Sequence, residues 1–149
     1  MRSIDVRLHS ISCEYNGFGG NIPIEGSISG STYFRDSNNP ADLRDTRVIY
    51  PFPNGPVKVS EGETVSIRMD RSVSFTLRTP VHDPEAYPDF LKVTVALNHE
   101  LGTQSWTFRN NDTFPLRRED PLLKTMHFST PNIRVNLVFA FQMWVEGAV

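Results

Sequence analysis

Three acidic stretches and one row of amides beside an aromatic hold the side chains of this chain best suited to binding chemistry. Asp36, Asn38, Asn39, Asp42 and Asp45 form the first stretch, His82, Asp83, Glu85 and Asp89 the second, and Asn110, Asn111 and Asp112 the third. Calcium takes about six to eight oxygens from carboxylates, amides and backbone carbonyls, and loops are where such oxygens converge. Calcium is therefore the one cofactor the sequence suggests, with Asp36, Asn38, Asp42, Asp83, Glu85 and Asp89 as its candidate metal ligands. No stretch has EF-hand spacing, however, and Asn and Asp also make turns by bonding their own backbone. The turn reading stands unless the stretches meet in space.

The amide row lies near the C-terminus. Arg134, Asn136, Gln142 and Trp144 occupy even positions of one alternating segment, so an extended backbone would present them on a single face. Sugars offer apolar C–H faces ringed by hydroxyls, and an aromatic beside amides and a cation suits both. This row is the candidate ligand-binding site. Val138 and Ala140 share its face, so the competing expectation is a second buried surface. Tyr15, Phe18, Tyr33, Phe52, Tyr87, Phe90 and Phe114 lie on loops or away from a clear core row.

Catalytic signatures are sparse. His9, His82, His99 and His127 have no second His within metal-ligand spacing, and no Gly-x-Ser-x-Gly elbow occurs. Cys13 sits in a core-like register, where a thiol is usually inert. Asn111-Asp112-Thr113 has the form of a glycosylation acceptor, which matters only on a secretory route. An isolated acid and base inside a cavity would leave no motif, so the enzyme question leans towards no without closing.

The elements that would position these groups are strands. From Ile133 to Val145 every odd position is apolar, the period of a strand and not of a helix. At ~3.3 Å per residue that segment would run about 43 Å. Ile4, Val6 and Leu8 are followed by Ile11 and Cys13 in the opposite phase, which predicts a β-bulge near His9-Ser10. Gly26 and Gly30 fall in the apolar row of Ile22, Ile24, Ile28, Thr32 and Phe34, where a strand bends or something approaches closely. Val65, Ile67, Met69, Val73, Phe75 and Leu77 keep one phase across Asp70-Arg71-Ser72, as one bent strand or a tight hairpin. Trp106 and Phe108, and later Met126 and Phe128, read as short strands.

About eight to ten strands at roughly 8–12-residue spacing, with turn residues between them, predict one all-β domain over residues 1–149. An antiparallel β-sandwich is expected, or a flattened barrel. The run Glu61-Gly62-Glu63-Thr64-Val65 and the long last strand loosely resemble C2-type and lectin-type sandwiches. That resemblance implies a fold and carries little functional weight.

Composition narrows the partners. The 149 residues carry 15 Lys and Arg against 17 Asp and Glu, a formal net charge of -2 with the signs interleaved. A nucleic-acid groove would want a basic excess, so no nucleic acid is expected. One cysteine permits no internal disulfide. The first residues alternate and form no apolar signal region, which predicts a cytoplasmic protein or leaderless secretion. No segment approaches a membrane span of ~20 apolar residues. The expected function is a non-enzymatic binding module, with a glycan or a protein as ligand. A self-assembling subunit of a virion, secretion apparatus or toxin, and a small barrel enzyme, are the alternatives. A homo-oligomer is expected because a long, nearly uncharged last strand would be an edge liability if left uncovered.

Overall fold

The computed structural model describes residues 2–34, 43–69, 71–78, 89–109 and 112–145. Among them there is no helix, and eleven strands run in chain order. β1 is Arg2–Asn16, β2 Asn21–Ile24, β3 Gly26–Tyr33, β4 Leu43–Tyr50, β5 Val57–Ser60 and β6 Thr64–Ser66; β7 is Val73–Leu77, β8 Phe90–Leu97, β9 Gly102–Phe108, β10 Leu122–Ser129 and β11 Ile133–Val145. All pairings between these strands are antiparallel. One sheet has the order β10-β11-β1, with β6 and β7 both on the far side of β1; a second has the order β4-β3-β8-β9, and β2 pairs with β5 alone. The sheets face each other as a sandwich and do not close into a barrel, so the flattened-barrel alternative falls away.

Alternation builds the core. On β11 the odd side chains from Ile133 to Phe141 are buried, as their phase requires. They pack with Ile4, Val6 and Leu8 of β1 and, from the opposite sheet, Ile28, Leu91, Val93 and Val95. The phase slip in β1 is a bulge: the register with β11 shifts between Leu8 and Ser10, leaving His9 as the extra residue. That shift keeps Leu8, Ile11 and Cys13 all buried despite their different parity.

The glycines of β3 mark two close approaches. A Cβ on Gly26 would lie 1.9 Å from the carbonyl oxygen of Ala96 on the neighbouring strand. A Cβ on Gly30 would lie 2.4 Å from the Phe75 ring, which projects across from β7. β6 and β7 do not pair with each other, so the hairpin alternative falls away. β6 pairs with Ser10–Ser12 and β7 with Arg2–Val6, so both run in the same direction along one edge of β1. The separation of β6 from β7, and the division of the Ile22–Phe34 row between two sheets at Glu25, raise the strand number above the expected eight to ten.

The last strand is central, which corrects the edge argument for self-association. β1 pairs with β11 along its whole length and β10 covers Arg134 to Phe141 on the other side. Beyond β10 the chain seals the remainder itself: the Arg117 amide donates to the Met143 carbonyl at 3.1 Å, and the Met143 amide to the Pro115 carbonyl at 2.8 Å. Among the described residues, the outer strands of the two larger sheets are β10, β9, β4 and, beyond β1, β6 and β7.

Candidate functional site

Arg134, Asn136, Gln142 and Trp144 do share the outer face of β11, but the amides of Asn136 and Gln142 hold the protein together. The Asn136 amide nitrogen donates to Glu14 Oε1 at 2.8 Å, and its oxygen lies 2.6 Å from His127 Nδ1, bridging three strands. The Gln142 amide nitrogen donates to the carbonyls of Arg117 at 3.1 Å and Glu119 at 2.6 Å, which straps the 115–121 segment onto the sheet. Ala140 is buried between them and Arg134 is exposed. Trp144 is 39% exposed, and the Arg117 guanidinium carbon lies 5.9 Å from its ring centre.

Arg117 is itself anchored. Its Nε and Nη2 donate to the two oxygens of Asp5 at 2.5 and 2.9 Å, while the Ser74 hydroxyl donates to Asp5 at 2.6 Å. The hydrogen bond to Asp5 pushes the Arg117 pKa above its ordinary value. Asp5 is 5% exposed, so this carboxylate is buried but saturated, as a charge taken out of water must be.

Of the candidate calcium ligands, Asp36, Asn38, Asp42, Asp83 and Glu85 lie outside the described residues. Asp89 is described and buried. One of its oxygens accepts from Arg44 Nε at 2.9 Å and the other from the Arg78 amide at 3.0 Å, so it serves an ion pair and a backbone bond. Among the described residues no three His, Cys, Asp or Glu come together as a metal site.

A groove of about 320 Å³ opens between the edges of β9 and β10, lined by Trp106, Thr107, Phe108, Asp112, Thr113, Phe114, Leu122 and Lys124. Its base is the aromatic end of the core. Phe108 and Phe114, both buried, sit 5.3 Å apart edge to face, and each packs on Phe141. Trp106 is half-buried and stands at 5.6 Å from Phe139, with its ring nearly perpendicular to that phenyl.

Polar groups surround these rings. Lys124 pairs in register with Phe139 and so points inward from an edge strand; its ammonium lies 5.2 Å from the Trp106 ring centre and 4.9 Å from that of Phe108. An inward cation is one way to guard an edge against mispairing, and here it also places a hydrogen-bond donor near two aromatic rings. The Asp112 carboxylate accepts from the Arg109 amide at 2.7 Å. Arg2 braces the same turn by donating to the carbonyls of Arg109, at 2.7 Å, and Asp112. The Gln104 amide donates to the His127 carbonyl and ties the two edge strands beside the groove.

The sequence places Trp106 and Phe108 simply in a strand. The overlooked signal is Lys124, which stands in phase with the buried Met126 and Phe128 and interrupts their apolar row where the core opens. Of the aromatics expected on loops or away from a clear core row, Phe18 and Tyr15 are exposed and Tyr33 is half-buried, whereas Phe52, Phe90 and Phe114 are buried; Tyr87 lies outside the described residues. No protein-family profile, curated protein or solved structure matches this chain.

Proposed function

We propose that this protein is a non-enzymatic binding module that takes a glycan in the groove between β9 and β10. The observation that carries the reading is the groove itself: an aromatic base and wall bordered by Thr107, Asp112, Thr113 and Lys124. Its volume lies at the lower end of the ~300–1,000 Å³ usual for small-ligand sites. A sugar's C–H face would stack on Trp106 while Lys124 swings from the ring to a hydroxyl. Among the described residues the buried polar side chains are Ser3, Asp5, Ser10, Asn16, Thr32 and Asp89, and both carboxylates are engaged by arginine and by hydroxyl or amide donors, which supports binding over catalysis.

A glycan array with and without calcium tests the reading, followed by titration of the best sugar into Trp106→Leu. That variant keeps apolar volume against Phe139 and loses the indole face, so affinity should fall by about thirtyfold, roughly 2 kcal/mol. An array without any binding, or unchanged affinity in the variant, would contradict it.

Self-association is the second reading, favoured by the outer edge of β10, where Leu122 and Leu123 are 40% and 49% exposed. A two-fold copy pairing along that edge would cover both. Sedimentation of the parent and of Leu123→Lys distinguishes this: the parent should dimerise and the variant should not.

A further inference from the structure

The sandwich has a second groove on its opposite side, where the edges of β4 and β7 meet. About 360 Å³ is bounded there by Thr32, Arg44, Asp45, Arg47, Thr76 and Arg78. Arg44 and Arg47 of β4 and Arg78, which follows β7, thus line one concave site. We propose that this groove is an oxyanion site that takes a phosphate or sulfate group. The inference is independent of the glycan reading, which concerns the other side of the molecule.

The arginines are held ready for such a ligand. Arg44 donates through Nε to Asp89, which is 1% exposed, and its guanidinium carbon lies 5.5 Å from the centre of the Phe34 ring. Arg47 donates through Nε to Asp45 at 2.9 Å and through Nη1 to the Ser74 carbonyl at 3.4 Å. In both cases the carboxylate takes the Nε position, which leaves the terminal nitrogens of Arg44 and Nη2 of Arg47 available to a ligand. Guanidinium forks match the paired oxygens of a tetrahedral oxyanion, and a fork already fixed loses little entropy on binding.

Charge points the same way. Asp45 and Asp89 neutralise two of the three cations, and the Arg78 side chain has no partner among the described residues. Among the described residues that line the groove, one positive charge remains, and Arg78 carries it. Thr32 and Thr76 line the same groove, the Thr76 hydroxyl lying 3.4 Å from that of Ser3. Asp89 has a positioning role: one carboxylate fixes both the Arg44 side chain and the backbone of Arg78.

The test is a titration of the protein with inorganic phosphate and, separately, inorganic sulfate at ionic strength held constant with chloride, followed through the amide signals of Thr32, Thr76 and Arg78. Saturable shifts at these positions are expected. Arg78→Gln should weaken binding at least about tenfold, roughly 1.4 kcal/mol. Because Arg78 is exposed, that variant should keep the parent's melting temperature. Arg78→Lys, which keeps charge but not the fork, should recover only part of the loss. A sugar phosphate in a parallel arm identifies the source: tighter binding than inorganic phosphate assigns an ester, and equal binding assigns the free ion. Shifts no larger than chloride produces, unchanged affinity in Arg78→Gln, or full recovery in Arg78→Lys would overturn the proposal.

Discussion

Replacing Gly30 by alanine probes a close approach between the two sheets. The added methyl carbon would sit 2.4, 2.7 and 3.0 Å from three carbons of the Phe75 ring, all well inside van der Waals contact. That ring is 2% exposed and cannot swing into solvent, so β3 or β7 must move. Overpacking of this kind costs about 1–3 kcal/mol. Alanine recovers roughly 0.5–1 kcal/mol of backbone entropy relative to glycine, which leaves a net loss of up to about 2.5 kcal/mol, and roughly 1.25 kcal/mol at mid-range. At roughly 2–4 °C per kcal/mol for a domain of this size, the melting temperature should fall by about 2–5 °C at mid-range in calorimetry. Phe75→Leu should remove the obstacle. In that background Gly30→Ala should cost almost nothing, a coupling on the order of 1 kcal/mol in a double-mutant cycle. If Gly30→Ala is as stable as the parent, or if the two costs simply add, the facing of β3 on β7 is wrong.

Two further predictions concern the core. Phe139→Ala should lower stability by about 3–5 kcal/mol in urea unfolding, because Phe139 is fully buried and supports the Trp106 ring; a parent-like midpoint would refute its placement. Burial raises the pKa of Cys13 from its ordinary 9.0 and that of Tyr50 from 10.0. The unfolded chain therefore releases these protons first, so their contribution to stability is present below pH 9.0 and declines as pH rises beyond it. Urea midpoints should drop through this alkaline range, and less steeply in Cys13→Ala; a flat profile would count against both burials.

What was legible in the sequence was what period and phase encode. The alternation of Ile133 to Val145 predicts the buried row of β11, and the phase slip after Leu8 predicts the bulge at His9. Glycine in an apolar row signals close approach at Gly30, though not that the approaching group is an aromatic ring from the other sheet. Partners across the fold were not legible. Alternation puts Asn136 and Gln142 on the outer face, but their bonding depends on Glu14, 122 residues away, and on the 115–121 segment. Both grooves arise likewise where edge strands of different sheets meet, β9 with β10 and β4 with β7, and no local pattern records such a meeting.

The chain has two tryptophans, Trp106 in the groove and Trp144 on the outer face of β11, so its proton–nitrogen spectrum carries two indole signals. Titration with the sugar ranked highest on a glycan array tests the central claim directly. A glycan in the groove should move the Trp106 indole signal, together with the amides of Thr107 and Thr113, and leave the Trp144 signal in place. Movement of Trp144 alone would put the ligand on the outer row of β11, and movement of neither would contradict glycan binding at the groove.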